Sequence, residues 1–174
     1  MRVASVQLRF YRLSRVSVLP RESVELTMPK DPAPVPKWDG INIQSDVEFA
    51  WADGQTDPPT SYAVRLHVRI LNDGEHKAPY DIDLEVVGYF DLLGKFPLDI
   101  RGDVAKVNGA SILYGILREI LSSLTARFPR GELVLPGVNF FDLKSEAAQK
   151  ATSQHAEHLG SYQKPLPPSD PSLQ

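Results

Sequence analysis

Alternation of apolar and polar residues dominates the first half of the chain. Ile41, Ile43, Val47, Phe49 and Trp51 share one parity, broken by Ser45, while Gln44, Asp46, Glu48 and Ala50 take the other, which predicts a half-buried strand. After the turn DGQTDPPTS, Tyr62, Val64, Leu66, Val68 and Ile70 alternate with Ala63, Arg65, His67 and Arg69. Asn72-Asp73-Gly74 makes the next turn, and Tyr80, Ile82, Leu84, Val86 and Phe90 alternate with Asp81, Asp83 and Glu85. Strands joined in sequence by short turn-rich loops predict an antiparallel meander. In that order the Arg65, His67, Arg69 strand lies between two acidic ones, and each opposite-charge pair across the outward face contributes about 0.2–1 kcal/mol. The charge pattern fits both a solvated face with ordinary ion pairs and a docking patch centred on Asp81, Asp83 and Glu85. Upstream, residues 3–19 mix Val, Leu, Phe and Tyr with Arg and Ser and predict an edge strand broken near Pro20, with the alternation resuming at Ser23 to Met28. Prolines at 29, 32, 34 and 36 then predict an extended crossover that ends on Trp38.

The period changes in the second half. Residues 91–107 read as a link punctuated by glycine and proline, with room for a short turn of helix. From a cap at Asn108 or Ser111 to about Arg127, helical spacing gathers Ile112, Leu113, Ile116, Leu117, Ile120, Leu121, Leu124 and Phe128 into one half of the circumference, more than the roughly 100° stripe of a surface helix. The opposite side carries Ser111, Gly115, Arg118, Ser122 and Ala126. Gly115 inside a helix costs about 1 kcal/mol against Ala, and a row of small side chains lets another backbone approach, so this row is the expected contact with a partner helix. The connector ELVLPGVNF is apolar and extended, and Asn139 caps an expected second helix from about Phe140 to His158.

Composition narrows the class of protein. At 174 residues and 42% hydrophobic content the chain suits one domain, taken as 1–159, followed by a proline-rich tail, 160–174, disordered by composition. A net charge of -3 offers no basic field for nucleic acid or an anionic membrane. Zero cysteines exclude disulfides and thiolate metal sites. Arginines at 2, 9, 12 and 15 interrupt any signal-like apolar run, so a soluble, cytoplasmic protein with no membrane insertion is expected.

Chemistry is sparse. Neither GxGxxG nor GxxxxGK[ST] occurs, and no serine sits in a GxSxG elbow, so no cofactor and no enzymatic activity are expected. His155 and His158 on the polar second helix lack the further ligands a metal site needs. What stands out is a set of apolar residues on loops: Trp38, Phe96, Phe128, Leu133, Leu135, Val138, Phe140 and Phe141. Singly each could cap the core, but together they suggest a groove.

The run ILYGILREILSSL, Arg127 ahead of the Pro-Arg-Gly turn, and above all the LxLxxVNF pattern at Leu133 to Phe140 resemble the SecB-type protein-export chaperones. The proline-bounded crossover with its tryptophan, the alternating strands and the Gly88-Tyr89-Phe90 step follow in the family's order. The resemblance spans about residues 23–145. It implies an α+β subunit, a four-stranded antiparallel sheet covered on one face by a long helix and a second C-terminal helix, assembled as a homotetramer, a dimer of dimers. It also implies an ATP-independent holdase whose unfolded polypeptide clients bind along Trp38, Leu133, Leu135, Val138 and Phe140 before transfer to the translocase motor SecA. Two first-strand positions that carry acids in the family are Ser23 and Thr27 here, while Asp83 keeps its acid. The long basic N-terminal strand is similar to that of SecB-like chaperones devoted to one partner, such as the antitoxin of a toxin–antitoxin pair.

Overall fold

The computed structural model describes residues 5–21, 38, 40–55, 57–94 and 96–143. Its fold is α+β. Strands β1 (Val6–Pro20), β2 (Asn42–Trp51), β3 (Ser61–Leu71) and β4 (Tyr80–Leu92) form one antiparallel sheet in the order β1-β4-β3-β2, crossed on one face by helix α1 (Leu98–Thr125). The expected meander is present, and the N-terminal strand returns to the far side of β4 as an edge that ends at Pro20.

Parity sets the core. Val64, Leu66 and Val68 of β3 and Leu84 and Val86 of β4 point to the helix side and are fully enclosed, packed against Leu113, Leu117 and Leu121 of α1. β1 follows a less regular rule. Register shifts between Leu8 and Phe10 and between Leu13 and Arg15 insert an extra residue twice, so that Val6, Leu8, Tyr11, Leu13, Val16 and Val18 all pair with helix-side residues of β4. Two bulges explain why a basic, apolar strand shows no simple alternation.

α1 begins earlier than expected. It starts after Pro97 with Asp99 in the first turn, a favourable acid near the helix N-terminus, and runs unbroken through the segment read as a link. Asn108 and Ser111 are not caps: their side chains donate to the carbonyls of Val104 and Val107, one turn back. The buried positions of this first half are Arg101, Ala105, Val107, Gly109 and Ala110, mostly small, so no large apolar stripe marks the helix in sequence. A Cβ on Gly109 would lie 2.7 Å from Val64 Cγ2, and one on Gly88 would lie 2.7 Å from Leu113 Cδ2. Glycine on both layers is what lets helix and sheet close up. Arg101 is buried and donates from Nε to the Pro59 carbonyl at 2.9 Å, tying the β2–β3 loop to the start of α1.

The second helix is described only as far as Leu143, where Phe141–Leu143 is a 3-10 turn rather than an α-helix. Asn139 caps this turn, its Oδ1 accepting from the Phe141 N–H at 3.0 Å. The rest of that expected helix with its histidines, the tail, Ser23, Thr27 and most of the crossover lie outside the described residues.

Candidate functional site

The connector from Gly131 to Phe140 is extended chain pinned to the fold by three hydroxyls. Tyr80 donates to the Gly131 carbonyl at 2.7 Å and Tyr114 to the Pro136 carbonyl at 2.8 Å. Thr125 acts in both directions, donating to Leu121 O at 2.7 Å while accepting from the Leu133 N–H at 2.8 Å. Burial raises the hydroxyl pKa of Tyr114 to about 12, with Arg118 partly opposing it, and raises that of Tyr80 against the opposing influence of Arg130. These groups stay protonated donors at ordinary pH.

Pinning splits the residues expected to line a groove. Leu133, Leu135 and Phe140 face inward and belong to the core, Phe140 meeting Tyr114 edge-on at 5.7 Å, so none of the three offers open surface. Val138 and Phe141 are 44% and 53% exposed, and Trp38, Phe96 and Phe128 are half-buried against the core. The open part of the set is therefore the outward parity of the connector together with the loop aromatics. On the same side of the sheet Ile43, Val47, Phe49 and Trp51 of edge strand β2 are only half-buried. Phe49 and Trp51 pack with Tyr62, which stacks on Phe90 with centroids 5.2 Å apart. This apolar strip along β2 was legible as alternation, but its incomplete cover was not, because cover depends on where the helix lies.

A second apolar region has no single sequence motif. Leu8 and Tyr11 of β1 and Ile116, Ile120 and Leu124 of α1, with Glu119, Ser123 and Arg127 at its margin, line an open groove of about 590 Å³. Tyr11, Leu13 and Val16, on the helix side of β1, are each more than 40% exposed. The wide apolar arc of α1 thus covers the sheet centrally with its Leu113, Leu117, Leu121 row and leaves its Ile116, Ile120, Leu124 flank short of cover.

The small row behaves differently along its length. Ser111, Gly115, Arg118 and Ala126 are exposed, and a Cβ on Gly115 would meet nothing within 4 Å. Ser122 is half-buried and hydrogen-bonds the Glu132 carboxylate.

Charges on the outward face are paired as the strand order requires. Glu48 meets Arg65 at 3.1 Å and Asp46 meets Arg69 at 3.1 Å. Asp83 accepts from Arg15 of β1 at 2.8 Å and bonds His67 of β3 at 2.6 Å. Burial raises the Asp83 carboxyl pKa, but the hydrogen bonds from Arg15 and His67 outweigh it and hold the group below its ordinary 3.8. Asp81 faces Arg21 and Asp91 faces Arg9, at 3.5 and 3.4 Å. Arg9, Arg15 and Arg21 come from the bulged N-terminal strand and the residue after it, so their part in neutralising β4 could not be assigned without its register.

Among the described residues no cluster of His, Asp or Glu has the makings of a metal site, and no helix is long and apolar enough to cross a membrane. No family model matches the chain, and no curated protein matches it. Solved structures similar to it include a SecB-like chaperone of Mycobacterium tuberculosis, in complex with a ChAD peptide from the HigA1 antitoxin, at 24% identity, covering 78% of this chain and 91% of that one with a TM-score of 0.43. A Streptococcus agalactiae protein of unknown function is similar at 15% identity, covering 76% of this chain and 97% of that one with a TM-score of 0.45. At these levels of likeness the case for function rests on the chain's own residues.

Proposed function

We propose that the protein is a SecB-like chaperone: a non-enzymatic, ATP-independent holdase of the cytoplasm that binds unfolded polypeptide segments on the helix-bearing side of its sheet. The observation that carries the reading is the half-covered apolar strip of β2 on the same side of the sheet as the pinned connector, with Val138 and Phe141 exposed and Trp38 half-buried. An extended client gains about 25 cal/mol per Å² of apolar surface removed from water there. Among the described residues of this strip no convergent polar groups compete for that role, as they would in a small-molecule pocket. The LxLxxVNF signature at Leu133 to Phe140 supports the same reading, its Leu133, Leu135 and Phe140 acting from within to hold the wall in place. Several such sites on a homotetramer, a dimer of dimers, would bind one long client by avidity.

Transfer of clients to SecA is the finer part of the reading, and a second reading competes with it. Asp81, Asp83 and Glu85 would form the docking patch, yet Asp81 and Asp83 are already paired with arginines of the N-terminal segment. That neutralisation favours an adaptor dedicated to one partner, such as an antitoxin, over a general export chaperone. Light scattering of an aggregating unfolded substrate tests the shared core of both readings. Stoichiometric protein is expected to suppress aggregation, and Trp38→Ala to suppress it less while assembling normally; no suppression by the wild-type protein would refute both. Affinity capture then separates them, one recovered partner indicating the adaptor and many clients the export chaperone.

A further inference from the structure

The β3–β4 hairpin does more than join two strands. Asn72 fixes its shape from within: Nδ2 donates to the Tyr80 carbonyl at 3.0 Å and to Asp81 Oδ1 at 2.7 Å, while Oδ1 accepts from the Ala78 N–H at 2.8 Å. Such a clamp of one side chain on backbone and side chain sets where the tip of the hairpin stands. The tip meets the end of the crossover at Gly40. A Cβ on Gly40 would lie 2.7 Å from His76 Nδ1, 3.4 Å from its Cγ and 3.5 Å from its Cβ, and a Cβ on Gly74 would lie 3.0 Å from the Gly40 carbonyl oxygen. Gly40 thus rests against both the His76 ring and the backbone at Gly74, and each contact needs the glycine it has.

Gly40 also has a φ of 76°, in the left-handed region that favours glycine. Around it the Ile41 N–H donates to the Trp38 carbonyl at 3.1 Å and closes a turn. Trp38 and Ile41 both pack half-buried on the core, and β2 begins at Asn42, so this turn carries Trp38 at the entry to the strip. A hydrogen-bonded turn moves as a unit, and a shift at Gly40 therefore reaches Trp38. We infer that His76 is a positioning residue of the polypeptide site: its ring seats Gly40 and so fixes Trp38. The inference rests on the reading of Trp38 as a client contact, and it adds that a hairpin remote in sequence sets the geometry of that contact.

The test uses the full chain and a labelled peptide with an apolar core. Trp38 emission is read in a Trp51→Phe background, where no other tryptophan remains; peptide affinity is read by fluorescence anisotropy with Trp51 in place. His76→Ala removes an exposed ring and should leave the urea midpoint near wild type. It is nevertheless expected to move Trp38 emission to longer wavelength and to weaken the peptide about fivefold. His76→Asn keeps the Cβ, Cγ and a δ atom against Gly40 and should restore both. In a Trp38→Ala background His76→Ala should cost nothing further, because the ring acts through Trp38. Unchanged emission, unchanged affinity, an equal loss in the Trp38→Ala background or a failure of His76→Asn to restore the two readouts overturns the inference. If the wild-type protein binds no apolar peptide, the polypeptide reading fails separately. Trp38 emission alone then decides the seat, since a shift in His76→Ala that His76→Asn reverses supports it and no shift overturns it.

Discussion

The hydroxyl of Thr125 joins the last turn of α1 to the connector and is fully buried while doing so. Thr125→Val keeps the shape but leaves the Leu133 N–H enclosed without a partner, an expected loss of about 1–3 kcal/mol in urea unfolding. Thr125→Ser, which retains both bonds, should lose less. Such a role is silent in sequence, where a threonine near a helix end has many uses. Asp83 was legible as an acid on the outward face, but not as the carboxylate shared by β1 and β3. Its folded pKa lies below 3.8, so its contribution is present above that pH and lost as pH falls through the folded value. Asp83→Asn should cost less than about 1 kcal/mol at neutral pH, given the partial exposure of the pair. Urea unfolding across a pH series should show the difference between the two proteins shrinking in strong acid.

At the scale of elements, the strands were readable because β2, β3 and β4 are each ten residues or longer and alternate along most of their length. The first half of α1 was not, because its inward positions are small and its glycines break the helical pattern. Close packing supplied what propensity did not, and two of the three glycines of α1, Gly109 and Gly115, give a controlled comparison. Gly109→Ala adds helix propensity of up to about 1 kcal/mol, yet its Cβ meets the stiff, fully buried Val64, and overpacking costs about 1–3 kcal/mol. A net destabilisation is expected. Gly115→Ala meets nothing within 4 Å, so the same propensity gain should appear as stabilisation of the isolated subunit. Thermal unfolding at low protein concentration reads both signs, and equal shifts in one direction would contradict the packing account.

At the scale of the whole molecule, α1 lies over a sheet wider than itself, and among the described residues apolar flanks remain only half-covered at both edge strands. One flank, along β2 and the connector, is assigned above to clients. The other, between β1 and the Ile116, Ile120, Leu124 row, adjoins a strand that is an edge among the described residues, a combination that natural proteins seldom leave uncovered. The small row at Ser111, Gly115 and Ala126, with Arg118 on the same face, adds an open helix face on which another helix can lie close. Self-assembly through these surfaces is the proposed reason the chain combines a small row with an over-wide apolar arc, which periodicity could suggest and a single subunit leaves open. Gly115→Leu discriminates. Within one subunit the new side chain has free space, so circular dichroism and subunit stability should stay near wild type, whereas a neighbouring helix packed on this row would be pushed away. Native mass is expected to fall from the proposed tetramer to a smaller species; a variant that keeps the mass of the wild-type assembly would remove the small row from the interface.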